Sequence, residues 1–504
     1  MSGATTRSSN PGGPVRTRTP AVGLLVFTLA LGVTTLSLLQ SLVVPMLPVI
    51  AEQLGVDAGA AGWVLTANLL AAAVLTPVIG RLGDTLGERR VVLGVLAVIT
   101  AGTLLAVLTT SLPLLLVARV LQGASYGLFP LSISILRREL PAGRLTVAMS
   151  IVSSTLAVGG VIGLVVTGLL TSEGGDYHHP FWLGLGISVA AFALAWWVLP
   201  ARAASATGGV DWWGALVLGV GLVLLLLPLS QGHTWGWGDV KTVGCLVGAV
   251  VVLTGWVFLL RGRTHPLVRP GLLADRRMLV PNTAGLMTGF GLFASFLAVT
   301  QFVQVPAAAG YGFGASTLEA AVVYLLPGGI AGVVLAPFAG QVVARIGGQT
   351  TLLIGAASGL VGFVLFAVAR SEPWVVVVVG LLTQLAVTVA FAALPALVVQ
   401  AVEPAETGVA NGVNSITRSV GSALASALII TVVAGSADAT GLPSSGSFTI
   451  VALLGAGSAL VTAAVATWGI LGERRRGGRR PDELAEVEQA TACAGEWSPV
   501  SGIR

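Results

Sequence analysis

The residues best placed to do chemistry in this 504-residue chain are charged and amide side chains set inside long apolar runs. Arg119, in Arg119-Val120-Leu121-Gln122-Gly123, and Arg418, in Asn414-Ser415-Ile416-Thr417-Arg418-Ser419-Val420-Gly421, have almost wholly uncharged surroundings. A guanidinium in hydrocarbon costs roughly 2.5–3.5 kcal/mol even on lenient insertion scales, so each should face a wet cavity or a partner. Gln122 and Tyr126 follow Arg119 by three and seven residues, which puts all three on one helical face. That face reads as cavity-lining; the alternative is an Arg119 that snorkels to the membrane interface. Arg418 lies deeper in its run, where snorkelling is harder. It either faces the cavity or pairs with backbone carbonyls.

Gln40, Gln301, Gln304 and Gln384 could add hydrogen-bonding points to the same cavity, or simply pack helices together. Glu319 is the candidate protonation site, with an interfacial position as the alternative reading. His178 and His179 stand beside Asp176, but adjacent histidines point apart and no spaced ligand set follows, so a polar loop and no metal are expected. No Gly-x-x-x-x-Gly-Lys-Ser/Thr sequence occurs, which argues against ATP drive. No nucleophile–base set lies in the apolar runs, so neither enzymatic activity nor a cofactor is expected.

The elements that hold these residues must be membrane helices. The chain is 55% hydrophobic and only 9% charged, against about 25% charged in an ordinary soluble domain. Fourteen runs are long enough to cross hydrocarbon as helices, at about 20 residues each. With the N-terminus inside, 22 of the 26 Lys and Arg residues fall in cytoplasmic segments, and a miscounted central helix would scramble that asymmetry. Both termini are therefore expected in the cytoplasm, in a bacterial inner membrane. The net charge of +5 is spread over short loops and forms no basic face, so nucleic acid is not an expected partner. Tryptophans cluster at predicted helix ends, as in interfacial belts; Trp182, Trp196, Trp212 and Trp256 are examples.

The chain also echoes itself. Gly80-Arg81-Leu82-Gly83-Asp84-Thr85-Leu86-Gly87 after helix 2 matches Gly340-Gln341-Val342-Val343-Ala344-Arg345-Ile346-Gly347 after helix 10, at an offset of 260. Leu128-Phe129-Pro130-Leu131 pairs with Ala393-Leu394-Pro395-Ala396 at 265, and Val147-Ala148-Met149-Ser150 with Val409-Ala410-Asn411-Gly412 at 262. Helices 1–6 thus repeat as helices 9–14, with helices 7 and 8 inserted between. The expected organisation is a tail over 1–20, a six-helix bundle over 21–200, an inserted pair with linkers over 201–278, a second bundle over 279–471 and a tail over 472–504.

The loop from Gly80 through Asp84 and Gly87 to Glu88-Arg89-Arg90 resembles the signature loop of the major facilitator superfamily. Arg119-Val120-Leu121-Gln122-Gly123 is similar to that family's Arg-x-x-Gln-Gly element in helix 4. The spaced Gly159, Gly163 and Gly168 resemble its helix 5 antiporter motif, with Leu164 where a proline is usual. Related exporters often carry an Asp in helix 1 where this chain has Leu39. Fourteen helices look like the drug:proton antiporter branch. The resemblance implies an all-α membrane fold of two six-helix bundles plus an inserted pair, acting by alternating access. It further implies that the Gly80–Arg90 loop, with Gly80, Asp84, Gly87, Arg89 and Arg90, is a conformational switch. In the family the Asp of this loop faces the N-terminus of a helix in the other half, here helix 13. Arg119 would be tied to proton coupling. The expected activity is proton-coupled export of amphipathic small molecules, drugs or antibiotics, with cationic or neutral cargo. The rival readings are a dedicated exporter of one endogenous metabolite and a non-transporting sensor or scaffold. Protons, cargo and the lipid bilayer are the expected partners, and the chain is expected to be a monomer.

Overall fold

The computed structural model describes residues 22–171, 175–202, 211–261, 263, 268–269, 271, 275–436 and 442–477. The predicted tail over 1–20 and residues 478–504 of the C-terminal tail lie outside the described residues.

Among the described residues, fourteen long helices follow one another. The first six are α1 (Val22–Ser41, continued by Val43–Leu54), α2 (Ala58–Leu86), α3 (Glu88–Leu108), α4 (Leu112–Gln122, a 3₁₀ stretch Gly123–Gly127, then Leu128–Glu139), α5 (Ala142–Thr171) and α6 (His178–Val198). The inserted pair is α7 (Trp212–Trp235) and α8 (Val240–Arg261). The last six are α9 (Arg276–Gln304), α10 (Thr317–Glu319, a π-helical turn Ala320–Leu325, then Leu326–Ile346), α11 (Gly348–Ala369), α12 (Pro373–Ala401), α13 (Thr407–Gly435) and α14 (Ser445–Gly477). Thirteen are long and apolar enough to cross a membrane. The remaining one, α5, spans 30 residues with Arg144 as its single charge. Its helix runs unbroken through position 164, where no proline interrupts it.

Local chemistry sets the helix ends. Asp57, Asp211 and Asp275 cap α2, α7 and α9, each carboxylate accepting a first-turn backbone N–H at 2.8–2.9 Å. Gly87 and Gly347, the paired glycines of the repeat, adopt φ of 92° and 85° in the tight turns after α2 and α10. A side chain would strain those turns. The π-helical turn of α10 ends just before Pro327, which has no backbone N–H to donate to the preceding turn.

The repeat seen in sequence is a repeat of packing. Within the first six helices α1 lies on α5 and α6, α3 on α4 and α6, and α2 on α4. Within the last six, α9 lies on α13 and α14, α11 on α12 and α14, and α10 on α12. Between helices in lipid, close approach depends on small residues more than on apolar burial. Gly163 of α5 leaves no comfortable room for a Cβ, which would sit 3.0 Å from Ser41 Cβ and 3.1 Å from Leu38 O of α1.

The inserted pair packs against the seam between the two halves. Apolar residues of α7 join Ala73 and Val78 of α2 with Val409, Ile416 and Ala427 of α13 in one buried cluster. Hydrogen bonds extend this on both sides, from Thr66 to Ser230 at 2.9 Å and from Trp237 Nε1 to Thr431 Oγ1 at 2.8 Å. Trp256, near the end of α8, is buried, and its indole donates to Gly214 O at 2.8 Å in the first turn of α7, joining the inserted pair. Trp197, 85% exposed, and Val368, 76% exposed, typify the apolar outer surface that only hydrocarbon or its interface would cover.

Candidate functional site

The signature loop lies where the two halves meet. At Gly80 a Cβ would lie 2.8 Å from Gly408 O, and at Gly408 one would lie 2.8 Å from both Asp84 Oδ1 and Gly80 O. The two glycines therefore let α2 and α13 touch backbone to backbone. That approach delivers the fully buried Asp84 to the first turn of α13, where its Oδ2 accepts from Val409 N–H at 3.3 Å. Unpaired N–H groups and the helix dipole make this end of α13 attractive to an anion.

Charged neighbours reinforce the junction. Arg137 at the end of α4 donates to Thr407 Oγ1 at 2.6 Å and to Val402 O at 2.9 Å, both in the second half. Glu88 accepts from Arg138 at 2.6 Å and from Ser134 at 3.1 Å, and Arg202 makes a two-point contact with Glu139. Arg89 donates to Trp196 O at 2.8 Å, tying the loop to the end of α6, while Arg90 is exposed. Arg137 was not among the residues singled out from sequence. Nothing in the local sequence reveals a partner 270 residues away.

The second seam is the repeat image of the first without its charge. A Cβ on Gly340 of α10 would lie 2.8 Å from Val147 Cα of α5, and Ser150 donates its hydroxyl to Ala336 O. The position matching Asp84 is Ala344. At the far end of α5, a Cβ on Gly168 would meet Leu318 of α10 at 3.2 Å, whereas Gly159 and Gly163 pack on α1. The three glycines of the helix 5 motif thus serve two different neighbours.

Arg119 lies inside the first half, fully buried. Its Nε donates to Val64 O at 3.0 Å on α2, and Nη1 donates to Leu39 O at 3.0 Å on α1 and to Gln122 Oε1. Gln122 Nε2 passes the network to Thr103 Oγ1 of α3 at 3.1 Å. Each such bond to a charged donor contributes about 1.5–3 kcal/mol, enough together to offset the desolvation of one guanidinium. Arg119 Nη2 and the Tyr126 hydroxyl are buried without a hydrogen-bond partner among the described residues.

Arg418 lies between the halves. Its guanidinium carbon is 4.8 Å from the ring centre of Phe129 on α4 and 5.2 Å from that of Phe391 on α12. It donates to Asn414 Oδ1 at 3.2 Å and Ser415 Oγ at 3.0 Å, and it stays partly accessible. Cation–π contacts of this kind contribute about 0.5–2 kcal/mol each. Asn414 is itself held by its amide donating to Pro281 O at 2.8 Å on α9.

The remaining candidates are scattered. Gln384 of α12 faces α10 at Gly332, with its Nε2 buried and unpartnered among the described residues. Gln40 and Gln301 are half-buried, and exposed Gln304 donates to Thr300 O of its own helix at 2.8 Å. Glu319 is exposed in the opening turn of α10, at the end of the bundle opposite the signature loop. His178 bridges Asp176 and Thr109 O, fastening α6 to the turn before α4. Among the described residues no group of His, Cys, Asp and Glu could hold a metal ion. A small cleft, lined by Thr288, Gly355, Phe363, Thr383 and Ser458, lies within the second half among α9, α11, α12 and α14.

The sequence profile described as Major Facilitator Superfamily matches residues 29–426. An uncharacterized MFS-type transporter of Mycobacterium tuberculosis is 29% identical over 66% of this chain, and the chain spans only 50% of that relative's length. A multidrug resistance protein B homolog of the same species is 27% identical over 73% of this chain and 68% of its own. A cephamycin export protein of Amycolatopsis lactamdurans is 30% identical over 78% of this chain and 81% of its own. Among solved structures, a proton:xylose symporter superposes with a TM-score of 0.61 over 87% of this chain and 94% of its own, at 12% identity, a likeness of fold.

Proposed function

The chain belongs to the Major Facilitator Superfamily, and from that premise we propose that it exports amphipathic small molecules, drugs or antibiotics, by proton-coupled alternating access. The observation that carries the reading is the backbone-tight contact of Gly80 with Gly408, with Asp84 against the first turn of α13. Such a contact joins the halves at one end and must open for cargo to pass that end. In this reading the arginine-rich end faces the cytoplasm of a bacterial cell, both termini lie there, and a single chain suffices. Protons supply the drive, and no bound cofactor takes part. Relatives named for multidrug resistance and for cephamycin export support the direction and class of transport. The second of these names also favours a narrower reading, a dedicated exporter of one endogenous product.

The test is dye and antibiotic efflux from a pump-deficient bacterial host, with and without a protonophore. Export that collapses when the gradient is dissipated supports the reading. Export that survives protonophore treatment removes proton coupling. Absence of export across a chemically varied panel, with protein present in the membrane, leaves the narrow exporter to be tested with endogenous metabolites.

A further inference from the structure

We infer that the cargo is an organic anion, whose acidic group binds the guanidinium of Arg418 between the two halves; this rests on the transport reading above. Charge placement carries the inference. Every Asp and Glu among the described residues lies at or near a helix end: Asp84 is two residues from the end of α2, Glu88 opens α3, Glu139 closes α4, and Glu319 opens α10. At mid-helix depth the described charges are two arginines and no carboxylate.

The two arginines are not equivalent. Arg119 is sealed inside the first half and held by two backbone carbonyls and an amide. Arg418 is partly accessible, and its two hydrogen-bond partners, Asn414 and Ser415, are neutral. It forms no ion pair among the described residues. A guanidinium has five N–H donors, so the two bonds leave capacity for a carboxylate or sulfonate, which it can grip at two points. The buried rings of Phe129 and Phe391, one from each half, flank the same charge and leave it no carboxylate partner among the described residues.

A cation at this site would meet an uncompensated positive charge and no opposing carboxylate. The reading therefore departs from the cationic or neutral cargo implied by resemblance alone. It also gives the anion a part in switching. Phe129 and Phe391 belong to different halves and both pack on the Arg418 guanidinium, so an anion that draws on that charge acts on a contact that differs between their two relative arrangements.

The experiment is equilibrium binding to the full-length protein in zwitterionic nanodiscs, with three matched probes: naphthylacetate, naphthylacetamide and a naphthylmethyl trimethylammonium salt. The carboxylate should bind about tenfold tighter than either analogue. Arg418→Gln should bring that ratio to about one, and Arg418→Lys, which keeps the charge without the planar fork, should retain roughly a threefold preference. Equal binding of the three probes, tighter binding of the ammonium salt, no binding of the carboxylate, or a preference that survives Arg418→Gln would each overturn the assignment. The same probes are then offered to energised everted vesicles. Transport of the amide or ammonium probe without carboxylate preference leaves the exporter reading standing while the anion assignment falls. Carboxylate-selective binding without transport of any probe does the reverse.

Discussion

Asp84 and Arg119 are both buried and ionisable, yet the structure gives them different surroundings. Arg119 is saturated on most sides by carbonyls and Gln122 within one half, so its removal would first be felt in the packing of α1, α2 and α4. Asp84 has one long bond, to Val409 N–H, and its Oδ1 is unpartnered among the described residues. Its contact reaches across the halves, so in the proposed alternating-access cycle its charge belongs to a junction that opens and closes. Asp84→Asn keeps the shape and removes the charge facing the α13 dipole, an interaction of about 0.3–2 kcal/mol. The expected outcome is a fall in efflux of about tenfold or more with membrane protein levels unchanged, since a few kcal/mol can redistribute two conformers. Wild-type efflux by this variant, measured beside an immunoblot, would remove the carboxylate from the switch.

At the scale of elements, the glycines decide how near the helices come. Gly80 and Gly408 face each other across α2 and α13, and Gly340 faces Val147 across α10 and α5. A single added methyl at Gly408 would meet Asp84 Oδ1 and Gly80 O at 2.8 Å, neither of which is the end of a long, flexible side chain. Gly408→Ala should therefore disfavour the arrangement in which this end is closed. A cysteine placed at Thr407 should react with a membrane-impermeant maleimide several-fold faster in that background, because steric expulsion here costs on the order of 1–3 kcal/mol. An unchanged labelling rate would mean that the seam accommodates the methyl without opening.

For the molecule as a whole, the inserted α7 and α8 lie against the α2–α13 seam, while α5 and α10 meet directly. The two seams between the halves are thus unequal, the first carrying Asp84 and covered by the insert, the second built on Gly340 and the Ser150 hydroxyl with Ala344 in the matching position. The proton coupling proposed above also belongs to this scale, because it requires a proton to be bound in one arrangement and released in another. Glu319, the exposed acid opening α10, lies at the end of the bundle opposite the signature loop. Glu319→Gln should flatten the dependence of efflux on external pH while leaving protein levels intact. A pH profile that overlays the wild type would take Glu319 out of the coupling.

The signature loop, the repeat and the fourteen apolar runs were legible in the sequence because each is written locally, in periodicity, in glycine and charge spacing, and in the paucity of charge. Gly87 and Gly347, paired by an offset of 260, adopt the same positive-φ, extended-ψ turn, as a shared local pattern should. Membership in the superfamily and the two-bundle fold follow from those patterns. Partners across the chain were not legible. Arg119 and Arg418 look alike in sequence, each a cation in an apolar run, yet one is enclosed within a half and the other lies between halves beside Phe129 and Phe391. Nothing local to Arg137 signals its contact with Thr407, and nothing local to Trp256 signals its bond to Gly214 of α7. The sequence by itself determined which segments enter the membrane, because transfer into hydrocarbon depends on each residue's own chemistry. Only the tertiary structure decided which charges are paired, sealed or left partly accessible, because that depends on atoms brought together from distant helices.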